Sequence, residues 1–218
     1  MKSITIPDSV TSIGRSAFEG CISLNNIIIP DSVKSIGNYA FEGCSGVTSV
    51  FFNATNCATS GSETTPTFSY CKNLISLTIG DEVRIIPSYA FKNCNKLTSV
   101  VIPNSVFAIG KEAFAYCSGL TSVSIGNSVA EIGNYAFRDC TGLTSLTIPD
   151  LVYSIGEYAF YNCTGLASVS IGNLVSEIGF CAFSYCTEIT SFTSKNATPP
   201  TVPSEKTFVG ISRSCPLY

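Results

Sequence analysis

Residues 120–142 read LTSVSIGNSVAEIGNYAFRDCTG. From Ser122 to Ile125 polar and apolar residues alternate, which predicts a strand with one buried face. Gly126 and Asn127 then suit a turn. Val129 and Ile132, followed by Gly133, predict a short second extended stretch or a corner. Ala136-Phe137-x-x-Cys140 has helical spacing over about one turn, so a short helical or 3₁₀ segment is expected there. Ala136 is small, as a close approach of another segment requires, and Phe137 is large enough to fill the middle of a coil.

The same 23 residues recur along the chain. Ala-Phe-x-x-Cys stands at Phe18/Cys21, Phe41/Cys44, Phe91/Cys94, Phe114/Cys117, Phe137/Cys140, Phe160/Cys163 and Phe183/Cys186, with a Thr67-Phe68 variant before Cys71. Only the interval from Phe41 to Phe68 is longer, at 27 residues. A fixed period in this range is the signature of a solenoid, because one rung cannot bury its apolar positions alone. The expected architecture is about nine rungs in one domain over residues 1–218, with a parallel sheet on one side. Pro or Gly ends most strands, at Pro7, Pro30, Gly80, Pro103, Gly126, Pro149 and Gly172. Ser122–Gly133 (SVSIGNSVAEIG) and Ser168–Gly179 (SVSIGNLVSEIG) lie 46 residues apart, as do Phe107 and Tyr153, which points to duplication of a two-rung unit. Glu131 and Glu177 should then lie two rungs apart.

The repeat absorbs most residues that would otherwise suggest chemistry. Eight of the eleven cysteines share one rung position, no CxxC occurs, and histidine is absent, so buried reduced thiols are expected in place of disulfides or a metal site. Cys57, Cys181 and Cys215 lie off this position, and nothing local decides whether they are free or paired. Asp8, Asp31, Asp81 and Asp150 occupy turns; no nucleophile–base pair or phosphate loop is present, so neither an enzyme nor a cofactor is expected. A net charge of −3 without a basic cluster argues against nucleic acid. No run of 18 apolar residues predicts a membrane span, and the N-terminus does not read as a signal peptide. Met1 already stands in rung register, three residues before Ile4, and Cys215-Pro216-Leu217-Tyr218 resembles the start of another strand. The chain thus reads as an excerpt of a longer protein.

The pattern L-x-x-V-x-I-[P/G]-x-x-V-x-x-I-G-x-x-A-F-x-x-C resembles the BspA-like leucine-rich repeat, over essentially the whole chain. That resemblance implies a right-handed leucine-rich-repeat solenoid, of mostly β or α/β class, with a concave parallel sheet. It also implies an extracellular or cell-surface protein that adheres to host, matrix or other cell-surface proteins, with no catalytic residues to carry over.

On the strand face, the outward residues are Ser3 and Thr5, Asn26 and Ile28, Ser49 and Phe51, Ser76 and Thr78, and Ser99 and Val101. Ser122 and Ser124, Ser145 and Thr147, Ser168 and Ser170, and Ser191 and Thr193 continue the series. These hydroxyls read either as a groove for an extended peptide or glycan, or as small residues that merely suit a curved inner face. Ile28, Phe51 and Val101 break the pattern, and Phe51 beside Ile28 on the neighbouring rung is the best local candidate for a contact patch. Tyr39, Tyr89, Tyr135 and Tyr158 before the Ala-Phe pair, and Tyr70, Tyr116 and Tyr185 after it, read as an interface or as a seal along the coil. The repeat falters at 53–66 and 194–206, both expected as irregular polar loops. Asn53, Asn162 and Asn196 begin N-glycosylation sequons, which would be chance matches in a bacterial protein. The expected function is a non-catalytic surface interaction module that binds a protein; a structural spacer or a glycan-binding solenoid are the alternatives.

Overall fold

The computed structural model describes residues 4–211 and Cys215. Two strand sets alternate along the chain, and they are numbered together. The corner set is β1 (Ser12–Ile13), β3 (Ser35–Ile36), β5 (Thr59–Ser60), β7 (Ile85–Ile86), β9 (Ala108–Ile109), β11 (Glu131–Ile132), β13 (Ser154–Ile155) and β15 (Glu177–Ile178). The long set is β2 (Asn26–Ile29), β4 (Ser49–Phe52), β6 (Ser76–Ile79), β8 (Ser99–Ile102), β10 (Ser122–Ile125), β12 (Ser145–Thr147), β14 (Ser168–Ile171) and β16 (Ser191–Ser194). Neighbours in both sets pair in parallel and advance by one rung, so that Asn26 faces Ser49 and Ser122 faces Ser99. Glu131 faces Ser154, which faces Glu177, two rungs from the first glutamate. The molecule is a leucine-rich-repeat solenoid with eight strands in each set among the described residues, against about nine rungs expected. Residues 4–6 bury Ile6 without joining a ladder, and the last rung meets the corner sheet only through a bridge from Thr201 to Glu177.

Each rung sends the same side chains inward. Phe41, Phe68, Phe91, Phe114, Phe137, Phe160 and Phe183 are fully buried. Their rings stack from Phe18 to Phe183 with centroids 5.1–5.6 Å apart, and Phe208 closes the column at 6.2 Å. A small residue precedes each ring, alanine in every case but Thr67 before Phe68 and Thr207 before Phe208, both buried. The cysteines add a bond that an alanine could not make. Cys44, Cys71, Cys117, Cys140, Cys163 and Cys186 each donate a thiol hydrogen to the carbonyl of the phenylalanine one rung earlier, at 3.0–3.2 Å. Burial pushes the Cys140 and Cys163 thiols well above their ordinary pKa, which keeps them protonated donors. Cys57, Cys181 and Cys215 are buried too; Cys57 donates to the Thr59 carbonyl at 3.2 Å, and burial raises its pKa to about 11.

The helical turn expected at Ala-Phe-x-x-Cys does not form. In the rung from Tyr135 to Cys140, alternate N–H groups serve different partners. Ala136, Arg138 and Cys140 donate three residues back along the chain, to Gly133, Tyr135 and Phe137. Tyr135, Phe137 and Asp139 donate across to Glu157, Ala159 and Tyr161 of the next rung, each at 2.8 Å. Half the donors are thus committed between rungs, where a helix would keep them all. Tyr135 and Asp139 also take left-handed φ values of 59° and 58°, which interrupts any helical run. The 3₁₀ helix among the described residues is Glu205–Phe208, whose Ser204 cap accepts from the Lys206 N–H.

The segment 53–66 is also not a plain polar loop. Ala54 and Cys57 are buried, and β5 keeps the corner, with Ser60 opposite Ile36. The added residues form a small hairpin closed by the Gly61–Pro66 bridge and a Ser62–Thr65 hydroxyl pair. Ser60, which stands where an isoleucine is usual, is buried and satisfied by the Thr67 hydroxyl at 2.6 Å. The hairpin splits the corner sheet, since β5 pairs with β3 but not with β7. The second departure, 194–206, continues the coil through Thr201 and delivers Phe208 to the ring stack.

Candidate binding face

The long strands leave one face outward. Asn26, Ile28, Phe51, Ser76, Thr78, Ser99, Val101, Ser122 and Ser124 are exposed there, and Ser49 is half-buried beneath a hydrogen bond to Asn26 Oδ1 at 2.7 Å. Ser3 lies outside the described residues. Register places Ile28 beside Phe51 and Phe51 beside Thr78, so these three form one row across β2, β4 and β6. Ile28 is 51% exposed, Phe51 38% and Val101 66%. Val101 is not in that paired row, because no ladder joins β6 to β8.

Two clefts mark this face. One, of about 280 Å³, lies between β6 and β8 and is lined by Thr78, Asp81, Ser99 and Val101. The other, of about 330 Å³, lies between β10 and β12 and is lined by Ser124, Ser145, Thr147, Asp150 and Lys195. Lys195 reaches Asp150 at 3.2 Å, with both side chains more than half exposed, so this pair contributes less than about 1 kcal/mol.

The tyrosines occupy the turn face, where their rings are used by each other and by cations. Tyr135 and Tyr158 stack at 4.9 Å, Arg138 lies against Tyr116, Tyr135 and Tyr161, and Lys111 against Tyr89 and Tyr135. With ring faces covered this way, Tyr89, Tyr116, Tyr135, Tyr158 and Tyr161 seal the coil edge, whereas Tyr70 and Tyr185 stay 61% and 47% exposed. Asn162, in a sequon, donates to Asp139 Oδ1 within the same face. A charged cluster joins it: Lys92 meets Glu112 at 2.6 Å with both side chains nearly buried, and Lys92 and Lys111 both reach Glu63 of the inserted hairpin.

Sequence reading missed the exposed group Phe107, Leu151, Tyr153 and Leu174 beside the corner sheet. The available signal was positional, since the residue aligned with Phe107 and Tyr153 is small or polar in the other rungs: Thr11, Lys34, Ala58, Arg84, Ala130 and Ser176. Among the described residues no group of three or more His, Cys, Asp or Glu is placed to hold a metal ion, and no helix is long and apolar enough to cross a membrane.

A parallel solenoid with a ring-stacked core and one free strand face defines a leucine-rich-repeat module. The model of the BspA type leucine rich repeat region matches residues 1–120 and 107–200, and the chain belongs to that family. No curated protein matches the chain. Among solved structures it is similar to a leucine-rich repeat protein from Bacteroides ovatus, at 28% identity and a TM-score of 0.63, over 99% of this chain and 62% of that one. It therefore spans less than two thirds of that relative. The T. pallidum leucine-rich repeat protein is similar at 27% identity and a TM-score of 0.59, over 86% of this chain and 77% of that one. The pneumococcal vaccine antigen PcpA, at 19% identity and a TM-score of 0.51, covers 100% of this chain and 79% of its own, and shares the fold.

Proposed function

We propose that the chain is a non-catalytic, cell-surface interaction module that binds a protein partner through its strand face, with adhesion as its use. The observation that carries this is the row Ile28–Phe51–Thr78. Two large apolar side chains point outward side by side on a continuously hydrogen-bonded three-strand block. Adjacent exposed apolar groups within a polar hydroxyl surround are the usual anchor of a protein contact. Ser49, Ser76, Ser99, Ser122 and Ser124 supply a polar rim whose side chains cost little entropy to order. Membership of the BspA type family supports the surface location.

The test is a titration of the purified chain against a panel of immobilised extracellular-matrix proteins, repeated with the Ile28→Ser/Phe51→Ser double variant. The expected result is saturable binding to at least one panel member, weakened about tenfold or more in the variant. Equal binding by wild type and variant would remove this row from the interface. Binding to a glycan array with none to any matrix protein would move the function to glycan recognition.

A further inference from the structure

The residue at the end of each long strand differs between the steps where one rung closes on the next and the steps where it does not. Asn53, Gly80 and Lys195 each donate their N–H to the last strand carbonyl of the preceding rung, at Ile29, Phe52 and Ile171, over 2.9–3.0 Å. Pro30, Pro103 and Pro149 stand at the same position and have no N–H to donate. The carbonyls deprived of this donor belong to Ile6, Ile79 and Ile125. At all three proline-led steps the ladder is absent: residues 4–6 do not pair with β2, β6 does not pair with β8, and β10 does not pair with β12. At all five other steps it is present, joining β2 to β4, β4 to β6, β8 to β10, β12 to β14 and β14 to β16.

Independent features fall on the same steps. Both clefts of the strand face lie at β6/β8 and β10/β12. Solvent reaches the inward residues of the strands before these openings: Leu77 and Ile125 are each 8% exposed, against 2% or less for Val100 and Ile102. Directly after the long strands, the side chains that accept an N–H from the next rung, Asn104 from Asn127 and Asp150 from Asn173, span the closed steps, whereas Asn134, beyond the corner, accepts from Glu157 across the β10/β12 step. At those closed steps Gly126 and Gly172 lie directly on the Pro103 and Pro149 carbonyls, where any Cβ would clash with backbone. The alternation of proline and glycine thus separates open from closed steps.

The other two faces remain continuous across the openings. The corner ladder runs unbroken from β7 to β15. Phe91 donates to Ala113 and Phe137 to Ala159 on the turn face, and the rings stay stacked. We propose that Pro103 and Pro149 are flex points built into the solenoid. The two-rung blocks β8–β10 and β12–β14 pivot on the corner and turn faces, and the strand face opens and closes at the two clefts. Such motion changes the curvature of this face while leaving the Ile28–Phe51–Thr78 row intact, and it does not depend on which partner that row contacts.

Native-state amide hydrogen exchange tests this, read residue by residue by NMR. Thr147 and Val101 should exchange at least about a hundredfold faster than Ser124 and Ser170, which hold the same strand position at closed steps. Pro149→Ala restores the missing donor and should slow Thr147 at least tenfold while leaving Val101 unchanged; Pro103→Ala should do the reverse. The converse variant, Asn53→Pro, should open the β2/β4 step and speed exchange at Phe51. Protection of Thr147 and Val101 equal to that of Ser124 in the wild type would overturn the proposal. So would rates at Thr147 and Val101 that do not respond to either alanine, or a Phe51 rate that does not respond to Asn53→Pro.

Discussion

Phe137→Ala is expected to cost about 3–5 kcal/mol, measured by urea unfolding at equilibrium. Phe137 is fully buried, with its ring 5.3 Å from Phe114 and 5.4 Å from Phe160. Truncation leaves a cavity in the middle of the column, and the rungs cannot collapse into it. Their spacing is set by hydrogen bonds on the turn face, such as Phe137 to Ala159 and Phe114 to Ala136. The loss therefore includes a cavity penalty as well as the transfer term. Phe137→Leu, which keeps most of the volume, should cost less than about 1.5 kcal/mol. A loss under about 1 kcal/mol for the alanine variant would show that the ring does not fill the core.

The second large effect lies in the charged cluster under the inserted hairpin. Glu112→Gln is expected to cost about 3 kcal/mol, because it strands the Lys92 ammonium in a nearly water-free place. The pair is short, at 2.6 Å, and its side chains are only 11% and 8% exposed. Lys92 keeps two partners after the change, the Glu63 carbonyl at 3.0 Å and the Tyr116 ring, which puts the cost at the lower end of the range for broken buried pairs. Adding Lys92→Met removes the stranded charge, so the double variant should recover at least half of the loss in thermal or urea unfolding. Full additivity of the two single losses would show that the residues do not act as a pair.

How far these features could be read from the sequence differs from one rung position to the next. The alternation at Ser122–Ile125 carried the strand, its buried face and its register, because a two-residue period leaves no other assignment. The 23-residue spacing of Phe18 to Phe183 carried the burial of these rings, because a residue at one fixed rung position lies over its counterpart in the next rung. Ala136-Phe137-x-x-Cys140 misled, since its spacing suits a helix in isolation. What prevents the helix is the demand of the adjacent rung for alternate N–H groups, a tertiary requirement that one rung does not display. The left-handed φ values of Tyr39, Tyr89 and Tyr135 were hidden likewise, because glycine occupies the second such position only at Gly20, Gly43 and Gly210. The hairpin at 61–66 was visible as four extra residues, but its buried Cys57 and Ser60 depend on pairing with β3. On the strand face, Ile28, Phe51 and Val101 stood out as apolar residues at outward positions. The division of that face required the ladder itself, although its cause, the Pro/Gly alternation, is written in the chain.

Phe51 and Phe52 are consecutive in β4 and point to opposite sides, so they offer the most direct test of which surface is core and which is free. Phe52 is fully buried and meets the Phe91 ring edge-on at 5.7 Å, whereas Phe51 lies on the outward face beside Ile28. Urea unfolding of Phe51→Ser should show a loss of about 1 kcal/mol or less, set by cross-strand packing alone. Phe52→Ser should lose more than about 3 kcal/mol, from the cavity and a buried hydroxyl. Equal losses, or a larger loss at Phe51, would contradict the assignment of the strand face as the surface left free for a partner.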